Sequence, residues 1–167
     1  MSSTYYTTEG IVLKKTPYGE ADFLVRILTL DFGKIDLRAR GVRKEKSKLN
    51  SHLDFLDQIS ISFVKNGEGI PTIIDAEKIF SHVHWFLGER ILREAGKVAR
   101  FLDLIIPLEA KDAKLFCAAV KFFAGSYQKT GQSFARDVIL YEGYGDTLSL
   151  PPEAQDFIMK EWQTLKS

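Results

Sequence analysis

The sequence predicts an α+β protein in which a small sheet precedes an all-helical part. Two observations lead to this prediction. Up to about residue 81, short segments alternate apolar with polar residues and end at glycine or proline, as β-strands and their turns do. After that point, apolar residues recur every three or four positions, as they do in amphipathic helices. We therefore expect a β domain over residues 1–81 and a helical domain over residues 82–167.

The alternation predicts five strands, at residues 9–15, 21–29, 34–40, 57–65 and 70–80. In the third strand, Ile35, Leu37 and Ala39 alternate with charged residues, so one face is apolar and the other is charged. Gly19 and Gly33 stand in the first two turns, where a positive φ is expected. Short turns and one longer excursion after the third strand are typical of a closed five-stranded barrel of the oligonucleotide-binding (OB) type.

The helical half is predicted to contain four helices. The first covers residues 87–106 and ends before Pro107, the second covers residues 110–129, and a shorter third helix ends at Gly143. A proline pair then opens the fourth helix, because proline is tolerated in a first turn. No glycine- or serine-rich spacer separates the halves, so we expect the helices to pack on the sheet.

The second helix has an apolar face that is wider than one neighbouring helix needs. Its two rows are Leu115, Phe116, Ala119, Val120, Phe122, Phe123 and Tyr127. This face is either the core of a packed helical unit or a groove for a partner, with Lys121 or Lys129 close enough to meet the partner's carboxylates. The sequence leaves both interpretations open.

The composition excludes several kinds of site. A hydrophobic fraction of 45% is enough for a packed core, and a net charge of +1 is not that of a general nucleic-acid-binding protein. Cys117 is the only cysteine, and three scattered histidines cannot complete a metal site, so we expect no disulfide, no metal and no cofactor. The polar N-terminus and the lack of a long apolar run predict a cytoplasmic protein.

The most informative stretch is the third strand with the segment that follows it. Between residues 38 and 48 the chain carries six cations and one acid, a local net charge of +5, so the rest of the chain carries −4. The six cations are Arg38, Arg40, Arg43, Lys44, Lys46 and Lys48. This concentration of charge on a strand and its exit predicts a site that binds a polyanion. The alternative is a solvated loop whose lysines keep the protein soluble.

Two aromatic residues in the predicted turns are candidates for stacking on bases. Tyr18 and Phe32 stand between strands, where an OB-type sheet exposes its binding loops. Stacking of this kind is worth on the order of 1–3 kcal/mol per base. For both residues, packing against the rim of the barrel is an alternative of equal weight.

Nothing in the sequence frames a catalytic centre. Residues 66–69 contain two glycines but precede a strand, so they predict a turn and not a phosphate loop. Asp54 and Asp57 precede a strand, where we expect them to be solvated or to cap it. His82 and His84 have no evident third metal ligand. We therefore expect that the protein is not an enzyme.

Four segments, taken in order, resemble the N-terminal domain of the RecO family of recombination mediators: EGIVLKK, YGEAD, LDFGKIDLRARGVRKEKSKL and GIPTIIDAE. In the helical half, FARDVILYEGYGD is similar to a family helix that ends in a glycine–tyrosine step. The chain differs from many family members because it has no four-cysteine zinc module after that step and ends soon after Trp162.

The resemblance implies an OB-fold domain followed by a helical domain. It also implies binding of single- and double-stranded DNA, annealing of complementary strands, and work with RecR and with the C-terminal tail of the single-stranded DNA-binding protein. On this chain it assigns DNA contact to the six cations between residues 38 and 48 and implies association with the nucleoid.

Two functions of different classes are compatible with these observations. The first is a DNA-binding recombination mediator in DNA repair. The second is an OB-fold protein-interaction adaptor without DNA-annealing activity, in which the helical half holds a partner. The basic run favours the first, since an adaptor has no need of six cations within eleven residues.

Overall fold

The computed structural model describes residues 3–42, 48–82, 88–125 and 130–162. In these ranges five strands come first: β1 (Ser3–Tyr18), β2 (Asp22–Thr29), β3 (Gly33–Ala39), β4 (Asp57–Asn66) and β5 (Thr72–Ser81). Four helices follow them: α1 (Glu89–Ile105), α2 (Ala113–Phe123), α3 (Gly131–Tyr141) and α4 (Pro152–Glu161). The predicted class, an OB-type barrel followed by helices, is confirmed.

The five strands form a closed barrel in the order β1-β2-β3-β5-β4, and β1 closes it. The first half of β1 pairs with β4, and the second half pairs with β2. Gly10 lies where β1 passes from one partner to the other, and a Cβ there would collide with the side chain of Ile27. The sequence pattern started this strand at Glu9, because residues 3–8 are held as a strand by β4 and not by their own alternation.

The inside of the barrel is filled by the faces that alternation predicted. Ile35, Leu37 and Ala39 of β3 are buried together with Val25 and Ile27 of β2 in one cluster. The charged face of β3 departs from the prediction at one position, because Lys34 is buried as well. Lys34 pairs with a residue of a helix, Asp103 of α1, and periodicity along a strand does not predict such a contact.

The outside of β1 and β2 is covered by the helices. Ile11, Leu13 and Leu28 alternate with the barrel-filling residues, and they are buried in a second cluster that includes Phe101 and Leu102 of α1. The expected packing between the halves is therefore confirmed. The division of the chain at residues 81 and 82 stays a prediction, since one cluster crosses it.

The apolar face of α2 forms part of the core. Its buried residues are Leu115, Phe116, Ala119 and Phe123. Phe122 stacks on Phe134 of α3, with ring centroids 4.7 Å apart. The helix ends at Phe123, earlier than predicted, and Gly125 follows it with φ of 73°. Tyr127 and Lys129 lie outside the described residues.

A partly buried ionic cluster joins the barrel to α1. Arg26 of β2 donates two hydrogen bonds of 2.7 Å to Asp36 of β3 and a third, of 2.9 Å, to Asp103 of α1. Lys34 contacts both the backbone carbonyl and the carboxylate of Asp103. Burial lowers the pKa of Lys34, and the Asp103 carboxylate opposes that effect. Asp103 therefore compensates the charges of two cations from different strands.

Removal of Asp103 should destabilise the whole fold. We expect Asp103→Ala to lower the free energy of unfolding by about 3–5 kcal/mol, because it leaves the Lys34 ammonium buried without its carboxylate. Chemical denaturation monitored by circular dichroism measures this. Asp156→Ala, at an exposed position of α4, is the control and should change stability by less than about 0.5 kcal/mol. Equal effects of the two substitutions would contradict a structural role for the cluster.

His82 is fully buried directly after β5, at the border between the halves. Its ring lies 4.8 Å from that of Phe80 and 6.3 Å from that of Phe123 on α2. Burial lowers the pKa of His82, while Asp57 and the backbone of Phe123 act in the opposite direction. Asp57 is buried too and forms an ion pair of 2.7 Å with Lys78, so the first of its two predicted roles, a solvated carboxylate, was wrong. The second, a cap, is supported because Asp57 accepts a hydrogen bond of 3.1 Å from the backbone N–H of Asp54.

This histidine predicts a loss of stability in mild acid. Above pH 6.5, the ordinary pKa of histidine, the ring is neutral in both folded and unfolded chains. Below pH 6.5 the unfolded chain takes up a proton on this ring, whereas the folded chain does not. The free energy of unfolding therefore decreases as the pH is lowered, until the pH passes the lowered pKa of the folded state. His82→Phe should lose less stability than the parent between about pH 7.5 and about pH 5.5. Thermal unfolding at both pH values measures this, and an equal loss in both proteins would contradict it.

Candidate nucleic-acid interface

The two arginines that flank Ala39, the last residue of β3, lie at a small groove on the barrel. Its volume is about 250 Å³. The lining residues are Tyr18, Arg38, Arg40, Val64, Asn66, Gly69, Ile70 and Thr72. Arg40 is exposed, and Arg38 has 37% of its side chain exposed. The structure thus brings together three of the residues that the sequence singled out, Tyr18, Arg38 and Arg40.

Turn chemistry places these side chains beside one another. Gly19 has φ of 61°, which lets β1 reverse into β2 and sets Tyr18 opposite Asp22. The β2–β3 register then pairs Phe23 with Ala39, so Asp22 lies next to the two arginines that flank Ala39. Gly41 turns the chain away from β3 with φ of 65°.

Asp22 binds the arginine side of this groove. It accepts a hydrogen bond of 2.6 Å from Nε of Arg38 and one of 2.8 Å from the backbone N–H of Gly41. The Gly41 N–H and then the Arg38 guanidinium hold the pKa of Asp22 below its usual range, so the carboxylate stays charged. Arg38, one of the six cations of the basic run, is thus already engaged in an internal salt bridge.

Tyr18 forms the second contact of Arg38. The guanidinium carbon lies 5.4 Å from the centroid of the Tyr18 ring, within the range of a cation–π contact. Tyr18 is the last residue of β1 and not a turn residue, and 41% of it remains exposed. A planar cation therefore lies over an aromatic ring that is still open to solvent.

Four predicted DNA contacts cannot be compared with the groove. Arg43, Lys44 and Lys46 lie outside the described residues, as does the side chain of Lys48. Both ends of this segment are fixed on the barrel core. Val42 before it is buried there, and Leu49 after it packs against the same cluster.

Phe32 lies in a different place. Its ring contacts those of Tyr6 and Phe63 edge-on, at 5.3 and 5.5 Å between centroids. These three rings line a larger pocket of about 490 Å³, whose charged residues are Asp31, Asp36, Lys65, Glu68, Glu109 and Lys111. The contacts of Phe32 support the alternative of packing at the barrel rim, in surroundings that contain more acids than cations.

Sequence reasoning missed Asp22 and the β4–β5 turn as parts of the site. The sequence does contain a signal for Asp22, because it is the acid that follows the tyrosine–glycine turn. Pairing β2 and β3 as a hairpin would have placed it beside the arginines. Residues 69 and 70 lack such a signal, because only closure of the barrel brings their turn to β3 through the pair Arg38 and Thr72. The turn also contributes to the larger pocket, so it forms a wall between the two.

Neither a metal site nor a membrane-spanning helix is found in the described ranges. Among those residues, no group of three or more histidine, cysteine, aspartate or glutamate side chains is arranged to hold a metal ion. None of the helices found there is both long and apolar enough to cross a membrane.

The fold and this groove define a class: an OB-type barrel with arginines and an aromatic residue at its loop end, joined to a helical bundle. Comparison with known proteins agrees with this class. The family model for the Recombination protein O N-terminal domain matches residues 1–82. Through this domain the chain belongs to the RecO family.

Curated relatives carry the same family name. The DNA repair protein RecO of Thermodesulfovibrio yellowstonii is 35% identical over 112 residues, which are 67% of this chain and 45% of that protein. The DNA repair protein RecO of Gloeothece citriformis is 42% identical over 82 residues, 49% of this chain and 28% of that protein. The one from Bacillus cytotoxicus is 39% identical over 83 residues, 46% of this chain and 31% of that protein. The matched part thus spans less than half the length of each of these relatives.

Proposed function

We propose that this chain is a recombination mediator in DNA repair that binds single- and double-stranded DNA through the groove face of its barrel. In this proposal it promotes annealing of complementary strands and, with RecR, the loading of a recombinase. The observation that carries the proposal is the pair of arginines at the groove, directly followed in the chain by the remaining basic residues. The names of the relatives support the repair role.

The charge distribution supports a phosphate backbone as the ligand of this face. Arg40 is exposed at the groove and is free of the Asp22 hydrogen bonds, which go to Arg38 and Gly41. The segment between Val42 and Leu49 adds three more lysines and Arg43. Arginine can bind phosphate through two parallel hydrogen bonds, whereas lysine acts as a point charge. Such contacts are independent of base sequence, as annealing of arbitrary strands requires.

The helical half offers a place for the tail of the single-stranded DNA-binding protein. Between α2 and α3 lies a groove of about 290 Å³, with Leu115, Phe134 and Val138 among its apolar lining residues. Lys114 lines this groove and Lys121 does not, so we assign Lys114 as the cation for the carboxylates of an acidic, apolar tail, while Lys129 lies outside the described residues. Asp137 also lines the groove and would repel the tail, which limits the affinity.

Charge reversal tests the DNA role. If about four phosphates are neutralised, the slope of log affinity against log salt on single strands should be near −3. We expect the triple variant Arg40→Glu, Arg43→Glu, Lys44→Glu to bind all sequences more weakly and to bring that slope to about −1, since each lost phosphate contact removes about 0.7. Fluorescence anisotropy with a labelled oligonucleotide across a salt series measures both quantities.

A matched triple variant controls for net charge. Arg90→Glu, Arg136→Glu and Lys160→Glu make the same change at exposed positions of α1, α3 and α4, and this variant should bind like the parent. If both triple variants bind and anneal DNA as the parent does while folded, the adaptor function replaces the proposed one.

Calorimetry with a peptide of the tail tests the groove in the helical half. We expect Lys114→Glu to weaken binding a few-fold, because one exposed ion pair contributes about 0.2–1 kcal/mol. Lys121→Glu, exposed on the same helix but not at the groove, is the matched control. Absence of binding by the parent protein would remove this partner without affecting the DNA role.

A further inference from the structure

The groove at Arg38 has features that backbone binding alone does not require. A phosphate contact needs only an exposed cation such as Arg40. Arg38 is instead fixed, since Asp22 accepts from its Nε and the Tyr18 ring lies beneath the guanidinium. No other hydrogen bond of this guanidinium is found to the residues that the structure describes. Within the described part of the chain, these two terminal amino groups therefore have no hydrogen-bond partner and can meet a ligand.

Asp22 keeps the guanidinium in this orientation. Its side chain is only 13% exposed, and its second oxygen is held by the N–H of Gly41, so the carboxylate is itself anchored at both oxygens. An acid beside a cation lowers the attraction for phosphate, which is a cost for any site that binds only the backbone. The arrangement instead fixes two flat π-surfaces, Arg38 and Tyr18, at the side of an open groove.

The groove has the size and lining for one base. Its volume of about 250 Å³ lies below the roughly 300–1,000 Å³ of pockets that hold drug-sized ligands. Val64 and Ile70 offer apolar contact, and the amide of Asn66 can both donate to and accept from the polar edge of a base. Bases in a duplex are stacked on each other, so only an unpaired base can enter.

We propose that this groove holds one unpaired nucleobase of a single strand, stacked on the pair Tyr18 and Arg38, with Asp22 as the residue that positions Arg38. The inference rests on the proposed function, because it assumes that this face binds DNA. It adds a preference for single strands over duplexes. Arg40, at the same groove, contacts the adjoining phosphate.

The test compares three DNA substrates of equal length at one salt concentration: a single-stranded oligonucleotide, the same strand with abasic sites, and a duplex. The parent should bind the base-containing strand more tightly than the abasic strand. Tyr18→Leu should weaken binding of the base-containing strand about ten-fold, a loss within the range for one stacked base, and leave the other two substrates unchanged. Tyr18→Phe keeps the ring and should restore the preference.

Asp22→Asn separates positioning from charge. It should reduce the preference for the base-containing strand, since Arg38 loses its fixed orientation, yet leave binding of the abasic strand unchanged or tighter, since one negative charge is gone. A residue with a merely structural role would weaken all three substrates together. Circular dichroism and thermal unfolding establish that each variant is folded.

The variant Arg40→Glu shows whether this face binds DNA at all. It therefore separates a failure of the base site from a failure of the proposed function. If Arg40→Glu weakens all three substrates and Tyr18→Leu is selective for the base-containing strand, the base site is supported. If Arg40→Glu weakens all three but Tyr18→Leu weakens none of them, or all of them equally, the base site is overturned and the DNA role remains. If Arg40→Glu and the triple variant leave every substrate unchanged, the DNA role falls and the base site falls with it.

Discussion

The carboxylate of Asp103 is the contact on which the relation between barrel and helices depends. It comes from α1 and meets the guanidinium of Arg26 and the buried ammonium of Lys34, which belong to two different strands. Taking these charges out of water is costly, and the cost is offset only when all of them are present with good geometry. An arrangement that moved α1 away from this contact would deprive Lys34 of the carboxylate that pairs with it.

The same end of β3 is held by backbone contacts as well. The backbone N–H of Glu109 donates to the carbonyl of Lys34 at 2.8 Å, and a Cβ on Gly33 would collide with the backbone of Ala110. β3 is thus fixed at its beginning by the segment that links α1 to α2. Its other end, with Arg38 and Arg40, is left open to solvent. The anchor and the candidate binding face are the two ends of one seven-residue strand.

Much of the fold was predictable because it follows from short-range pattern. Alternation identified the apolar face of β3, whose residues Ile35, Leu37 and Ala39 are buried inside the barrel. What the pattern could not provide is the neighbour. A charged residue such as Lys34 is predicted to be exposed unless the Asp103 of a helix is known, and Asp57 is predicted to be solvated unless its pairing with Lys78 is known.

The candidate site shows the same division. The charge cluster was visible in composition, but the engagement of Arg38 by Asp22 depends on the hairpin register, and the far wall of the groove depends on barrel closure. The two aromatic candidates differ because their three-dimensional neighbours differ. Tyr18 contacts Arg38, whereas Phe32 packs against Tyr6 and Phe63. Local sequence indicates which residues can bind, whereas the three-dimensional neighbours decide which of them are available.

The low net charge of the chain, and the pairing of Arg38 with Asp22, are consistent with the activity that we propose. A protein that anneals strands must release the product, so it gains nothing from the strongest attainable attraction for phosphate. A chain with net charge +1 whose local excess of cations follows β3 in the sequence, and in which Asp22 pairs with one of them, would bind through a few contacts that salt or a competing strand can displace. If that contact also favours an unpaired base, pairing with a complementary strand removes the ligand from the groove. Formation of the duplex would then itself lower the affinity of the protein for its product.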